Sequence, residues 1–285
     1  MFSNGVQCKI IKILNNNSIL AYDMDKDQEL IIIGNGIGYG HKKNEIFALS
    51  NNEIEKLFVT YDKKFKNQYY QLINFLDENV MRVSEEIISM GEKKLGSLNP
   101  HIHIALTDHI GFSIERLKQN LEVNNPFLNE IKLLYPEEYE ASIEASKIIK
   151  KDLNVAIPES EIGFIALHFH SARQNKEVGE TVKYTFLIKN LIQIVEEELN
   201  IKFDSSDLSY IRLVSHFRFV IDRLERGKTE INPILNRIKN EYRDSFEISK
   251  KIGACIEDTL SLPVSDDELG YITIHIQRIK FNIDK

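Results

Sequence analysis

The feature that most constrains this chain is a repeat of itself at an offset of 107 residues. HIALTDHIGFSIERL (103–117) lies over DLSYIRLVSHFRFVIDRL (207–224), and EIGFIALHFH (161–170) lies over ELGYITIHIQ (268–277). The offset carries His109 onto His216 and His168 onto His275. It also carries Phe112 onto Phe219, Arg116 onto Arg223, Asn125-Pro126 onto Asn232-Pro233, Tyr135 onto Tyr242, Glu161 onto Glu268 and Gly163 onto Gly270, without a gap. A chain that keeps its register this long contains one unit twice. The apolar residues fall at spacings of three and four, beginning near residue 62 with YQLINFLDENVMRVSEEIISM following, so the unit is helical. The expected limits are 66–172 and 179–285, joined by the polar stretch ARQNKEVGET.

Residues 1–61 read differently. QCKIIKI (7–13), SILAY (18–22), QELIII (28–33) and EIFAL (45–49) are short, rich in Ile and Leu, and separated by Asn, Asp and Gly clusters. That pattern predicts a small antiparallel β-meander. A domain of this size has little core, and dimerisation is a natural way to stabilise it. Asn15, Asn16 and Asn17 form the first turn, either as a plain hairpin connection or as amides offered to base edges and phosphates. In GNGIGYGHKK (34–43) Gly34, Gly36, Gly38 and Gly40 alternate, so one face is stripped of side chains and another backbone can approach. Tyr39 offers an aromatic face on which a base can stack. No βαβ unit surrounds the glycines, so they are not a dinucleotide fingerprint.

Composition narrows the class. A formal charge of −7 argues against holding polyanions by bulk charge, although one domain can still carry a small nucleic-acid site. Two distant cysteines, Cys8 and Cys255, do not make a disulfide scaffold. Lys9 and Lys12 break the first apolar run, which argues against a secretory signal, and no stretch nears the roughly 18 apolar residues of a membrane span. A cytoplasmic protein is expected.

Of eight histidines, four stand at the repeated positions: His109, His168, His216 and His275. His101, His103 and His170 meet Leu208, Tyr210 and Gln277 instead. A lone histidine on an apolar helix face is usually a core residue, but four at a fixed offset weaken that reading. A metal site is disfavoured, because i and i+2 on a helix point about 200° apart and the second copy lacks both His-x-His pairs. No nucleophile motif or paired-carboxylate signature suggests catalysis. Neutral imidazole is nucleophilic near neutral pH and can receive a phosphoryl group. Glu161 and Glu268 each precede a histidine by seven residues, two helical turns, which could orient the imidazole if a gap of roughly 10 Å is closed.

LNNNSILA, GNGIGYGHKK, HIHIALTDHI, NPFLNEIKLLYPEEY, EIGFIALHFHSA, RLVSHFRFVIDRL and ELGYITIHIQRI together resemble the BglG/SacY family of bacterial transcriptional antiterminators over residues 6–280, most closely its glucose-permease type. The resemblance implies a multidomain fold: a small antiparallel sheet of four strands that binds RNA, followed by two homologous all-α PTS regulation domains. It implies a homodimer that holds a hairpin in nascent mRNA against the terminator stem. RNA contacts would come from Asn17, Gly34, Gly36 and Tyr39, with Lys12, Asn15 and Lys42 as lesser contributors. Tyr39 stands where the family usually has Phe, and Asn35 where it usually has Arg or Lys. The phosphorylated sugar permease (enzyme II) would modify His109 or His168 and inactivate the protein. The carrier HPr would modify His216 and His275. No cofactor, metal or enzymatic activity is implied. The alternatives are a metal-dependent hydrolase built on the histidine clusters, or a DNA-binding activator with the same regulation domains, which would need a helix-turn-helix that the first sixty residues do not show.

Overall fold

The computed structural model describes residues 6–15, 18–34, 36–49, 56–59, 76–228 and 230–283. The chain is organised as two compact units: residues 1–124 with 137–176, and 125–136 with 177–285.

In the first unit five strands form one antiparallel sheet. They are β1 (Val6–Asn15), β2 (Ser18–Asp23), β3 (Gln28–Ile33), β4 (Ile46–Leu49) and β5 (Lys56–Val59), in the order β4-β1-β2-β3-β5. The four expected strands are all present, and β5 extends the sheet beside β3. Strand alternation divides the apolar residues between two faces. Cys8, Ile10, Ile19, Ala21, Leu30 and Ile32 gather under Ile37 of the glycine loop. Leu20, Ile31 and Ile33 form a second cluster with Met81, backed by Leu76 and Ile104. β2 and β3 are therefore buried on both sides, which explains why QELIII reads as a continuous apolar run rather than an alternation.

Helices follow: α1 (Glu78–Leu95), α2 (Ile102–Lys118), α4 (Pro136–Leu153) and α5 (Glu159–Arg173), with the short α3 (Leu128–Leu134) between α2 and α4. The expected helical start near residue 62 lies outside the described residues, and the first described helix begins at Glu78. Asp77 caps α1 through a 2.8 Å bond from the Asn79 amide, and Gly96 ends it with φ 88°. Val83, Ile87, Leu106, Ile110, Ala145, Ile165 and Phe169 fill the bundle core. Met81 on α1 and Ile104 on α2 reach the other way, to the sheet. So α2 is shared: one side serves the bundle, and Ile104 supports the β-domain.

The second unit repeats the order with α6 (Val178–Leu199), α7 (Leu208–Glu225), α8 (Leu235–Glu241), α9 (Arg243–Leu260) and α10 (Asp266–Ile283). The segment carrying α3 is built into this unit. The Tyr210 hydroxyl donates to Glu130 at 3.0 Å, the Tyr135 and Thr185 hydroxyls are 3.2 Å apart, and Arg218 donates to the Leu134 carbonyl at 3.2 Å. The connector between the copies is shorter than the polar stretch suggested, since α5 runs to Arg173 and α6 starts at Val178.

Gly91 shows how tightly the first bundle is packed. A Cβ there would press into the Phe169 ring on α5. Overpacking of this kind costs about 1–3 kcal/mol, against a helix-propensity gain of at most about 1 kcal/mol. Gly91→Ala is therefore expected to lower the melting temperature of the first unit by about 2–8 °C by calorimetry. An unchanged melting temperature would mean that Phe169 has room to move.

Candidate functional site: paired histidines and a candidate RNA surface

Each helical copy brings its two repeated histidines together. His109 on α2 and His168 on α5 have ring centroids 4.8 Å apart. His216 on α7 and His275 on α10 are stacked at 3.9 Å. Two imidazoles this close disfavour a charge on both. His168 and His216 are each pushed down to about 3: burial is the main cause for both, followed by the neighbouring His109 for the first and by His275 and Arg223 for the second. His275 is lowered as well, by burial and then by Arg278. The rings of His168, His216 and His275 are thus neutral near pH 7, the state in which a ring nitrogen is a nucleophile. Among the described residues Nδ1 of His168 and Nε2 of His216 are buried with no hydrogen-bond partner. A histidine kept only for the core would have its nitrogens satisfied, since leaving one bare costs about 1–3 kcal/mol.

A carboxylate and an arginine stand beside each pair. Glu161 is 1% exposed, with one oxygen 3.3 Å from His109 Nε2 and 2.7 Å from the Ser113 hydroxyl, while the other oxygen takes the Arg116 guanidinium. Burial alone would raise the Glu161 carboxyl. The hydrogen bonds of His109 and Ser113 and the charges of His109 and Arg116 outweigh it, so the group lies below the ordinary carboxylate value. In the second copy Arg223 grips Glu268 with two parallel bonds of 2.8 and 2.5 Å. Ser113 is replaced there by Val220, and Arg278 stands where the first copy has Ser171. The first pair therefore faces a carboxylate directly, and the second lies among guanidinium groups.

The partner of Glu161 differs from the sequence expectation. Two turns along its own helix it does not orient His168; instead it reaches His109 on the neighbouring helix, and so closes the gap that a single helix leaves open. Arg116 and Arg223 acquire their role only through this packing. Their recurrence together with Glu161 and Glu268 at one offset was the available signal. Of the unrepeated histidines, His103 is buried against Glu85 at 2.7 Å, His170 meets Glu138 at 3.0 Å, and His101 precedes α2 on the surface. Among the described residues no His, Cys, Asp and Glu side chains gather in a metal-binding set.

The candidate RNA contacts fall mostly on one loop and its neighbours. Tyr39 is 77% exposed, and Lys12, Gly36 and Lys42 are exposed. Gly36 and Gly40 have φ 71° and 78°, and a Cβ added at either would meet nothing within 4 Å, so these glycines serve backbone shape rather than close packing. The Ile37 amide bonds the Gly34 carbonyl at 3.2 Å, and the Tyr39 amide bonds Gly36 at 2.9 Å; these successive turns thrust the Tyr39 ring outward. Glu45 braces the loop from within, 3.1 Å from His41 and 2.8 Å from the Lys42 amide. Gly34 is buried, so any part it plays in RNA contact is through shaping the loop. Asn16, Asn17 and Asn35 lie outside the described residues; Asn15 pairs with Ser18 at the end of β1.

The titration of the histidines has a direct consequence. His168 and His216 titrate near 3 when folded and near 6.5 when unfolded, so between those values the unfolded chain binds more protons. Their contribution to stability is complete above pH 6.5 and declines as pH falls. Melting temperatures are expected to drop from pH 7.5 to pH 5, above the range where Glu161 titrates. His168→Gln and His216→Gln should each flatten that slope, and a slope unchanged in both variants would contradict the neutral buried rings.

Comparison with known proteins finds three matched stretches. Residues 8–67 match the CAT RNA binding domain, and residues 85–172 and 189–279 each match the PRD domain. The transcription antiterminator LicT of Bacillus subtilis is 34% identical over 95% of this chain and 98% of its own length. The PtsGHI operon antiterminator of the same organism is 36% identical over 94% and 95%. The GlcA/glcB genes antiterminator of Staphylococcus carnosus is 34% identical over 94% of both. The crystal structure of GlcT CAT-PRDI superposes with a TM-score of 0.55 at 40% identity, covering 59% of this chain and 99% of that one. With an RNA-binding sheet ahead of two matched histidine bundles, the chain belongs to the CAT–PRD family of transcription antiterminators.

Proposed function

We propose that residues 1–61 bind a hairpin in the nascent mRNA of a sugar PTS operon and so keep the overlapping terminator stem from forming. Residues 66–172 and 179–285 act as regulation domains. The chain is a phosphoryl acceptor, not an enzyme; it works in the cytoplasm as a homodimer and needs no cofactor. The phosphorylated sugar permease (enzyme II) is the donor to His109 or His168, and HPr to His216 or His275. The names of the relatives support the antitermination reading. The observation that carries the control mechanism is that α2 holds His109 on one side and, through Ile104, supports the sheet on the other.

In the transfer, the unprotonated imidazole nitrogen attacks phosphorus and its lone pair becomes the new N–P bond. The donor's P–N or P–S bond breaks, and its electron pair returns to the donor atom. Phosphate adds roughly two negative charges. On His109 these meet the Glu161 carboxylate, 3.3 Å from Nε2. Each like-charge contact at 4 Å costs about 4 kcal/mol at an effective dielectric near 20. Arg116 cannot serve both anions in its present position, so α2 and α5 must shift, and the sheet resting on α2 loses its seat. In the second copy the surroundings are Arg223 and Arg278, and Arg223 already neutralises Glu268. Phosphate there gains Arg278, which replaces Ser171 of the first copy, as a cationic partner and tightens the bundle. On this reading phosphate inactivates through the first domain and activates through the second.

His109→Asp in the full chain, a partial charge mimic, is expected to weaken binding of the antiterminator hairpin at least tenfold in a gel-shift and to reduce the dimer mass by light scattering. Tyr39→Ala should weaken RNA binding by about tenfold or more with the mass unchanged, since a stacked base is worth about 1–3 kcal/mol. If His109→Asp alters neither affinity nor mass, the control mechanism is wrong. If the wild-type chain does not select the hairpin over a terminator-only RNA, the antitermination reading is wrong.

A further inference from the structure

One histidine lies outside the helical copies altogether. His41 is the only histidine in residues 1–61, and it closes the glycine loop. Its ring lies against Phe47 of β4, with centroids 4.8 Å apart, and its Nδ1 is 3.1 Å from Oε1 of Glu45. The other Glu45 oxygen accepts from the Lys42 amide at 2.8 Å. That amide, and after it the imidazole, holds the Glu45 carboxyl below the ordinary carboxylate value, so the group is ionised near pH 7. The loop is tied to β1 at the same point. The Asn44 amide donates to the Ile10 carbonyl and the Ile10 amide to the Glu45 carbonyl, both at 2.8 Å. His41 is thus held on one ring face and at one nitrogen, yet its side chain is 31% exposed.

An ionised carboxylate only accepts, so Nδ1 keeps its hydrogen and donates to Glu45 in either charge state of the ring. What the ring offers outward is decided at Nε2. Neutral, Nε2 presents a lone pair, which repels a phosphate oxygen. Protonated, it presents an N–H and a positive charge. Histidine is the side chain that makes this change between pH 5 and 8. The charged groups on the same loop are Glu45 and the exposed Lys42 and Lys43. β4 brings the uncharged Phe47, and β1 brings Cys8, opposite Phe47 in register. Burial, then Asp23 and Asp25, pushes the Cys8 thiol up to about 12, so it is neutral. Tyr39, the exposed stacking face, is two residues away, at most about 7 Å along the chain. Resting on the antitermination reading above, we propose that His41 is a further RNA contact, donating Nε2–H to a phosphate of the hairpin, with Glu45 as its positioning residue. A ring that is neutral in the free protein takes one proton from solvent on binding, and no other bond forms or breaks.

The test is a gel-shift of the full chain with the antiterminator hairpin, beside a terminator-only RNA, between pH 6 and pH 8 at fixed salt. Wild type should bind the hairpin at least about threefold more tightly at pH 6 than at pH 8, since a hydrogen bond to a charged group is gained. The slope of log affinity against log salt should steepen by about 0.7–0.9 over the same interval, the mark of one more neutralised phosphate. His41→Gln should bind with one affinity at both pH values, within about twofold of wild type at pH 8, because neither side chain then carries a charge. His41→Lys, which is charged throughout, should bind at pH 8 as tightly as wild type does at pH 6. A brace that only shapes the loop gives a different pattern: a flat wild-type profile, with both variants weakened equally at every pH. That pattern overturns the inference. So does a pH dependence that survives in His41→Gln, which would place the proton elsewhere. A wild-type chain that fails to select the hairpin at any pH overturns the antitermination reading itself, and the RNA role of His41 with it.

Discussion

The bond between Arg116 and the buried Glu161 ties α2 to α5, and nearly everything attributed to the first helical copy depends on it. It holds the two helices in the register that brings His109 within 4.8 Å of His168. After the hydrogen bonds of His109 and Ser113, it also helps to keep a negative charge in a place that burial alone would neutralise. Breaking one partner of such a buried pair typically costs about 3–5 kcal/mol, whereas the intact pair contributes little net stability. That asymmetry suits a switch. The resting state is defined by a contact that a nearby charge can disrupt, and disruption is felt along both helices.

The second copy keeps the Arg–Glu pair and the histidine pair but changes what surrounds them. Val220 replaces Ser113, Arg278 replaces Ser171, and Glu268 is closed off by a two-pronged guanidinium. The opposite responses to added negative charge proposed for the two sites rest on these side chains. Duplication supplied the geometry, and a few side chains set the sign. The first copy also carries His103–Glu85 and His170–Glu138, pairs with no histidine counterpart in the second. They give α1–α2 and α4–α5 further polar ties in the copy that supports the sheet.

Much of this was legible in the sequence. The short Ile- and Leu-rich runs and the turn residues of 7–49 locate four strands, and the fixed offset locates the four paired histidines before any contact is known. What the sequence could not show depends on which helices lie side by side. Glu161 read along its own helix points to His168, and only the approach of α2 turns it to His109. Arg116 and Arg223 recur at the repeat offset, but only that same approach gives them a buried carboxylate. The fifth strand, Lys56–Val59, is too short to announce itself by pattern and exists because β3 offers it an edge. Nor did the glycine loop need alternation to strip a face. Two of its glycines are required for positive φ, and the buried Ile37 anchors the loop to the sheet.

The central claim is that charge at His109 reaches the RNA-binding sheet through α2. Amide hydrogen exchange in the full chain, before and after phosphorylation of His109, measures this directly. Faster exchange at Leu20, Ile31 and Ile33, where the sheet meets Met81 and Ile104, is the expected result. Unchanged exchange at these amides, with RNA binding nonetheless lost, would mean that the signal reaches the RNA by another route.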